Sequence, residues 1–354
     1  MNAGPTAGAI LHLHPLRRCN LACGHCYSDS SPHATDMLAF ETVARAIRQA
    51  AAWGYERLAI SGGEPLLYPW LADVVALATE YGMQTALITN GLLVAQRENL
   101  SILRRIDTVA VSIDGLGGAH DTLRRRPRAF ADVLRTLAQL ADADIGFHII
   151  CGVSRDNLDD VEELAALACE RGAAALQLHP ISAAGRARAG MADAVLGADD
   201  ANLLYVAGML LAAAYDGRMG VHTDLVHRRC AIARPDMIYA APRGGADDGA
   251  RPADLLGVLV LEPDGAVNPV SFGFAPPYRL GNILERPLGS MWQPWLGEGY
   301  RRLCHLGQQM LVDLIAPPGV AVFNPSDVLR LASHRMGGTL ARQGSVIDSA
   351  SLPE

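Results

Sequence analysis

Three cysteines stand within eight residues near the start of the chain, at positions 19, 23 and 26. Thiolates at this spacing, in a loop that follows a short apolar segment, can converge on one inorganic iron–sulfur cluster. Three protein ligands leave one iron of a four-iron cluster open, and an open coordination position distinguishes reactive metal sites from structural ones. Cys19, Cys23 and Cys26 therefore predict a reactive [4Fe-4S] cluster.

Two other interpretations fit the triad taken alone. One is a zinc site completed by His25 or His33, and the other is an electron-transfer cluster with a distant fourth cysteine. The remaining cysteines are scattered, and free cysteine often behaves as a small hydrophobe. We expect this of Cys169, which shares a helix with leucines, whereas Cys151 ends a strand and could face the site. A spacing motif stays a hypothesis until its context agrees.

Further motifs follow at the ends of later predicted strands. Taken singly, the polar residues in them would be caps of strand-to-helix turns. An arginine twelve residues beyond Ser112 has the guanidinium geometry that suits bidentate binding of a carboxylate. The motifs are Ser61-Gly62-Gly63-Glu64-Pro65, Thr89-Asn90-Gly91, Val111-Ser112-Ile113-Asp114-Gly115 and the Arg124 of a His-Asp-x-x-Arg sequence.

In this order and spacing, the motifs resemble those of the radical S-adenosylmethionine (radical SAM) superfamily over about the first 185 residues. The resemblance implies that the three cysteines are the cluster ligands and that His25 occupies the aromatic position whose backbone contacts the adenine. It implies a ribose-binding role for Ser112 and a carboxylate-binding role for Arg124. The predicted cofactor-binding set is His25, Gly62, Gly63, Glu64, Pro65, Asn90, Ser112, Asp114, Arg124 and His179.

The resemblance also implies the chemistry. An external one-electron reductant of the flavodoxin or ferredoxin type reduces the cluster, S-adenosylmethionine is cleaved at its sulfonium, and a 5'-deoxyadenosyl radical abstracts a substrate hydrogen. The cofactors supply this chemistry, and the protein supplies orientation and exclusion of water. The glycines of the second motif are expected to let the backbone approach the methionine amino group closely.

The elements that must position these residues alternate short apolar runs with amphipathic helices, which predicts repeated βα units and a parallel sheet. We expect the fold class to be α/β, and the resemblance to the radical SAM superfamily implies a partial (β/α)6 TIM barrel. Functional loops lie at the carboxyl ends of parallel strands, both in barrels and in open sheets. By strand alternation His12 and His14 face the lumen and His179 ends the sixth strand. The six predicted strands are Ile10 to His14, Arg57 to Ile60, Thr85 to Ile88, Thr108 to Ile113, Gly146 to Cys151 and Ala175 to His179.

Beyond a predicted boundary near residue 220, two apolar runs flank an Asp-Gly turn and predict a hairpin. Residues 255–292 resemble the SPASM extension of the peptide-modifying branch, except that Val270 stands where that branch has a cysteine. Cys230 and Cys304 cannot complete an added cluster. We therefore expect a partial barrel (1–220), a smaller α+β extension without auxiliary clusters (221–310) and a helical segment with a disordered tail (311–354), together with a mobile insertion at 241–252.

The leading hypothesis for the substrate is a ribosomally made precursor peptide. Since the sequence shows no N-terminal domain before the first predicted strand, we expect any leader-recognition module to be a separate chain. The alternatives are a radical enzyme acting on a small metabolite (an antibiotic, sugar or haem-like precursor) and a non-catalytic iron–sulfur or zinc module. The intact motif Gly62-Gly63-Glu64-Pro65 argues against the non-catalytic module.

Composition limits the partners. A hydrophobic fraction of 50% supports a sizeable core, and a net charge of -7 argues against nucleic acid as a partner. The sequence shows neither a signal peptide nor an apolar run of about 18 residues, so we expect a cytoplasmic protein away from membranes. That compartment keeps thiols reduced, which favours metal binding over a disulfide framework.

Overall fold

The computed structural model describes residues 8–241, 250–316 and 321–347, the last ten of these by backbone alone. Most of its strands form one sheet, and two short strands pair separately. The strands are β1 Ile10–Leu13, β2 Arg57–Ile60, β3 Gln84–Thr89, β4 Thr108–Ser112, β5 Phe147–Val153, β6 Ala175–Pro180, β7 Gly220–Thr223, β8 Val226–His227, β9 Val258–Leu261, β10 Ala266–Pro269, β11 Gly281–Asn282 and β12 Val322–Phe323.

Helices connect the parallel strands, because a parallel pair needs a crossover connection. Within the described residues, no helix is both long and apolar enough to cross a membrane. The helices are α1 Phe40–Ala52, α2 Leu71–Glu80, α3 Arg97–Leu103, α4 Gly118–Arg124, α5 Ala129–Asp142, α6 Val161–Glu170, α7 Gly185–Gly190, α8 Ala198–Ala214, α9 Arg228–Ala233, α10 Pro252–Leu255, α11 Trp292–Ile315 and α12 Pro325–Ile347.

The local sequence explains these elements. On α1, Val43, Ile47 and Ala50 recur at helical spacing and are fully buried, so one face of the helix packs on the sheet. Along β5 every second residue is buried from Phe147 to Val153, and the others face the opposite side. The two faces of β5 thus separate a helix-packed core from a lumen.

The sheet has the order β11-β10-β9-β1-β2-β3-β4-β5-β6-β7, and its end strands do not pair to close a barrel. All six predicted strands are confirmed as a consecutive parallel series, β1 to β6. The fifth strand runs two residues further than predicted, because Gly152 and Val153 still pair with His179 and Pro180. Beyond these six strands, β7 adds a further parallel strand beside β6.

The C-terminal part joins the same sheet. The predicted hairpin is confirmed as β9 and β10, with Gly265 at φ +85° in its turn. Strand β9 pairs in parallel with β1, a long-range contact that the local pattern did not indicate. The boundary predicted near residue 220 coincides with the start of β7, so the sheet continues across it, and the division into domains stays a prediction.

Two predictions concern segments at the margins. Of the insertion predicted at 241–252, residues 242–249 lie outside the described part, and α10 begins at Pro252. Helix α12 continues to Ile347, into the last 15 residues for which the sequence predicted no regular structure. Residues 348–354 lie outside the described ranges.

Candidate functional site

The three clustered cysteines lie in the loop between β1 and α1. Cys19 and Cys23 are buried, Cys26 is half-buried, and all three thiols are free. With Leu21 and Leu92 they form a small apolar cluster separate from the main core. Among the described residues, no three His, Cys, Asp or Glu side chains are placed to hold one metal ion.

Helix α7 fixes the far side of this loop. The Arg186 guanidinium donates to the carbonyl oxygens of Cys23 at 2.8 Å and Ser30 at 2.6 Å. Its backbone N–H donates to the Cys26 carbonyl at 3.0 Å. At Gly185 (φ +50°) a Cβ would lie 2.5 Å from the same carbonyl oxygen, so only glycine allows α7 to pack this closely.

Nitrogen donors surround the three sulfurs. The backbone N–H groups of Leu21 and Ser30 donate to Cys19 Sγ at 3.4 Å and Cys26 Sγ at 3.3 Å. Asn90 Nδ2 lies 3.7 Å from Cys19 Sγ, and Arg124 Nη1 lies 4.0 Å from Cys23 Sγ. Hydrogen bonds to sulfur are among the means by which a protein tunes an iron–sulfur cluster, so this donor set fits one.

Burial governs the protonation of the thiols. It raises the pKa of Cys19 to about 12, and it raises the pKa of Cys23 despite the opposing charge of Arg124. A thiol with so high a pKa is a poor nucleophile at neutral pH. Metal ligation requires the thiolate, so loading a cationic centre here would release protons.

The loop after β2 lies directly against the cysteine loop. A Cβ on Gly63 would meet the Arg18 carbonyl oxygen at 2.1 Å, and one on Gly62 (φ +102°) would meet the Leu16 carbonyl oxygen at 2.9 Å. The Gly63 and Glu64 N–H groups donate to the carbonyls of Leu16 and Arg18. The two glycines therefore allow the β2 loop to pack against the cysteine loop. The sequence had predicted a different role for them, a close approach of the backbone to the methionine amino group.

Glu64 binds protein groups rather than facing an open space. Its carboxylate, 1% exposed, accepts hydrogen bonds from Thr89 Oγ1 at 2.8 Å, Asn90 N at 2.9 Å and Leu66 N at 3.2 Å. Burial raises its pKa, although these hydrogen bonds act in the opposite direction. Glu64, followed by the buried Pro65 that opens a short 3-10 turn, ties the β2 loop to the end of β3.

A buried charged group lies at the end of β4. Asp114 Oδ2 is 2.7 Å from Arg124 Nε and 3.3 Å from His25 Nε2, and Asp114 Oδ1 accepts from Gly152 N at 2.8 Å. The Arg124 contact is an ion pair whose N–H is not aligned as a hydrogen bond. Burial alone would raise the pKa of Asp114, but Arg124 and the histidines lower it below its ordinary value. Asp114 is therefore ionised at neutral pH.

Ser112 and Asn90, both predicted to bind the cofactor, differ in how far their polar atoms are engaged in hydrogen bonds within the protein. The half-buried Ser112 hydroxyl has no hydrogen-bond partner among the described residues, so it remains available to a ligand. Asn90 is partly a turn cap, because its Oδ1 accepts from Leu92 N at 3.0 Å. Its Nδ2 donates to Asn20 Oδ1 at 2.7 Å, which links the end of β3 to the cysteine loop.

Three histidine and tyrosine side chains line the lumen beside the cysteine loop: His12, His14 and Tyr27. His12 and His14 share a strand face as predicted, with ring centroids 4.7 Å apart. His12 Nε2 lies 2.9 Å from Ser61 Oγ, and His14 Nε2 lies 3.2 Å from the Tyr27 hydroxyl. Burial, with the charge of His179 as a smaller cause, lowers the pKa of His12 to about 4. At neutral pH His12 is therefore uncharged.

His179 ends β6 and hydrogen-bonds Asp224 through Nδ1. Burial acts to lower the pKa of His179, whereas the hydrogen bond to Asp224 and the charge of Asp224 act to raise it. Together they outweigh burial, so the net shift of the pKa is upward. The imidazole keeps 46% of its side-chain surface exposed, which leaves it accessible from the lumen. Cys151 is fully buried and is part of the hydrophobic core. Cys169 is only partly buried and packs against that core.

The structure also adds residues that the sequence did not predict. Asn20 and Tyr27 adjoin cluster cysteines, so their proximity in sequence was an available signal. Arg186 and Asp224 reach the site over long sequence separations, and no local pattern marked them.

Comparisons with known proteins agree with this geometry. Residues 13–168 match the model of the Radical SAM superfamily. The AdoMet-dependent heme synthase of Nitratidesulfovibrio vulgaris is 35% identical over 190 residues, covering 51% of this chain and 50% of that protein. The antilisterial bacteriocin subtilosin biosynthesis protein AlbA of Bacillus subtilis is 28% identical over 175 residues, covering 48% and 39%.

Among solved structures, Streptococcus suis SuiB bound to precursor peptide SuiA superimposes with a TM-score of 0.63 at 16% identity, covering 82% of this chain and 66% of that one. At this identity the likeness concerns the fold, and it confirms the partial-barrel class. The chain spans about half the length of the curated relatives it matches first. The match identifies residues 13–168 as a radical SAM domain, as predicted, and proteins of this superfamily use a [4Fe-4S] cluster and S-adenosylmethionine.

Proposed function

Because residues 13–168 form a radical SAM domain, we propose that this chain cleaves S-adenosylmethionine reductively and uses the resulting radical to abstract hydrogen from a substrate. The observation that carries the proposal is the set of three free thiols in one apolar loop, with backbone and side-chain N–H groups directed at their sulfurs. When bound, the cluster supplies the electron that breaks the sulfonium bond.

The chain's own residues would hold and orient the two cofactors. Cys19, Cys23 and Cys26 would ligate three irons, and the surrounding N–H donors would stabilise the thiolate charge. The free hydroxyl of Ser112 would meet the ribose, and the His25 backbone the adenine. Arg124 would offer its remaining N–H groups to the cofactor carboxylate while Asp114 holds its Nε side. Glu64 and Asn90 would act by keeping the loops in place.

Electron paramagnetic resonance tests the open coordination position. The reconstituted, reduced protein should show a [4Fe-4S] signal that changes when S-adenosylmethionine is added. A loaded and reduced cluster whose spectrum does not respond to S-adenosylmethionine would contradict the proposal.

We propose a single cluster per chain. Val270 stands at the position of the branch's cysteine, Cys230 is exposed on α9, and Cys304 is half-buried on α11. Neither α9 nor α11 brings a further cysteine, so the ligands of a second cluster are missing from the seven cysteines of the chain. Iron analysis of reconstituted protein should give about four irons per chain, and about eight would contradict this.

For the substrate we propose a ribosomally made precursor peptide. AlbA, a bacteriocin biosynthesis protein, supports it by sequence similarity, and SuiB with its precursor peptide supports a fold of this kind around a peptide. The second candidate is a haem-like precursor. It is favoured by the higher identity to a heme synthase, 35% against 28% for AlbA.

Isotope transfer separates these candidates. The protein would be incubated anaerobically with S-adenosylmethionine, dithionite and either a deuterated precursor peptide encoded beside it or a deuterated iron coproporphyrin. The true substrate class should pass deuterium into 5'-deoxyadenosine and change in mass. Transfer from the porphyrin alone would overturn the peptide proposal.

A further inference from the structure

A hydrogen-bonded histidine and carboxylate lie at the carboxyl end of β6. We propose that His179, held in place by Asp224, is the base that takes a proton from the substrate after hydrogen abstraction. The inference rests on the function proposed above, because it assigns a step that follows the attack of the 5'-deoxyadenosyl radical on a peptide. It gives to the substrate a residue that the sequence assigned to the cofactor.

The pair is supported by a third polar side chain. Gln177 and His179 lie on the lumen face of β6, since Leu178 between them is fully buried on the helix side. His179 Nδ1 hydrogen-bonds one oxygen of Asp224, and Gln177 Nε2 donates to the other. Because a carboxylate only accepts hydrogen bonds, Nδ1 carries a proton and the lone pair of the neutral ring lies on Nε2. A base oriented by a second group is typical of proton-transfer sites.

The second ring nitrogen of His179 is open. Among the described residues, no hydrogen bond involves His179 Nε2, and 46% of the side-chain surface is exposed. Burial acts to lower the pKa of His179, but Asp224 outweighs burial and the net shift is upward from 6.5. The shift brings the imidazole towards neutral pH, where a proton acceptor is most effective.

The pair lies two strands from the proposed cofactor site. His179 is in register with Gly152 on β5, and Gly152 N donates to Asp114 at the end of β4. With a spacing of about 4.8 Å between strands, His179 is about 10 Å from the end of β4. A Cβ on Gly152 would lie 3.2 Å from Asp114 Oδ1 and 3.7 Å from His25 Cδ2, so glycine keeps this level of the lumen open. A substrate that reaches the adenosyl group would therefore also come within reach of His179.

The charged groups around His179 favour its protonated form. The carboxylates of Asp224, Asp327 and Asp114 all act to raise its pKa. The other titratable group that interacts with it is His12, which is uncharged at neutral pH. A proton that arrives on His179 is therefore stabilised there.

The proposed step balances without a further reactant. A hydrogen atom passes from an α-carbon of the peptide, which carries an N–H, to the 5'-deoxyadenosyl radical. The proton of that N–H then passes to His179 Nε2, and the electron pair of the broken bond stays on the nitrogen. The products are 5'-deoxyadenosine, a radical anion of the substrate and an imidazolium held by Asp224.

Nitrogen-15 NMR of the histidines in the cluster-free protein tests the pair without turnover. The His179 signals are those that His179→Gln removes. The neutral ring should carry its proton on Nδ1 and should titrate above 6.5, and Asp224→Asn should lower that pKa. The matched control is His222→Gln, on the adjacent strand two residues before Asp224, which should leave the titration unchanged. A neutral ring protonated on Nε2 would overturn the inference.

Turnover of the deuterated precursor peptide gives the second readout. His179→Gln should still pass deuterium into 5'-deoxyadenosine but form the mass-changed peptide about 100-fold more slowly. Product formation should rise with pH as His179 loses its proton. In Asp224→Asn this rise should move to lower pH, because the imidazole has lost the carboxylate that raises its pKa. His222→Gln should match the parent in both respects.

Two outcomes of the turnover experiment contradict the inference. These are a parent-like rate of product formation in His179→Gln, and deuterium transfer from iron coproporphyrin alone. If the loaded protein forms no 5'-deoxyadenosine, the proposed function fails, while the NMR result still decides whether Asp224 holds His179 as a free base in the lumen.

Discussion

At the scale of single residues, the site combines neutral and charged groups that burial has separated. The Cys19 and Cys23 thiols and the His12 imidazole are held uncharged, whereas Asp114 and Arg124 form a buried ion pair. A buried charge without a partner costs several kcal/mol. A variant therefore keeps its stability only if both charges remain or both are replaced. This division of charge leads to two predictions that need no cofactor.

Breaking the buried pair should destabilise the protein strongly. Arg124→Met leaves the Asp114 carboxylate, 1% exposed, without its cation, and we expect a loss of about 3–5 kcal/mol in the free energy of unfolding. The double variant Arg124→Met/Asp114→Asn should lose clearly less, since no buried charge remains. Urea unfolding of the cluster-free proteins measures both. Equal losses in the two variants would show that the pair carries no coupling energy.

His12 should make stability depend on pH. Its folded pKa of about 4 lies below the ordinary 6.5, so between these values the unfolded chain binds more protons. Stability should therefore fall as pH drops from about 6.5 towards 4, by at most about 3 kcal/mol from this residue. His12→Gln should flatten that slope in urea titrations, and the exposed His33→Gln should not. The idea fails if His12→Gln has the slope of the parent.

The residue scale also shows how far sequence reasoning could reach. The three cysteines, their spacing and the strand-end motifs are local, so they were predictable from the printed order of residues. The partners Arg186 and Asp224 were not, because they meet the site only through the packing of α7 and the loop after β7. Glu64 was predicted as a cofactor-binding residue, yet its oxygens accept from protein N–H and O–H groups, which no spacing rule reveals.

At the scale of elements, the site depends on loops that meet at the carboxyl ends of neighbouring strands. The β1 and β2 loops touch through glycine, and the β2 and β3 loops through Glu64. The parallel series β1 to β6 followed from the alternation of apolar runs and helices. The pairing of β9 with β1 did not, since a strand's sequence does not identify a partner more than 200 residues away.

The contact between the first two loops can be tested at one atom. Gly63→Ala places a methyl group 2.1 Å from the Arg18 carbonyl oxygen, so the cysteine loop must shift. We expect a loss of about 1–3 kcal/mol in stability and a lower iron content after reconstitution. Gly118→Ala is the matched control, because a Cβ there meets no atom within 4 Å. Full iron loading of Gly63→Ala would show that the loop tolerates the methyl group.

At the scale of the whole molecule, one continuous sheet carries both the cluster loop and the C-terminal hairpin. Because β9 adjoins β1, the extension lies directly beside the strand that leads into the cysteine loop. Phe272, just after β10, stacks on Tyr27 with ring centroids 4.1 Å apart. The extension therefore contacts the lumen side of the site, whichever substrate enters it.

The most direct measurement is the formation of 5'-deoxyadenosine. Anaerobically reconstituted protein with about four irons per chain, incubated with dithionite and S-adenosylmethionine, should produce it, and Cys23→Ala should not. Absence of 5'-deoxyadenosine from protein that carries a full and reducible cluster would contradict the account.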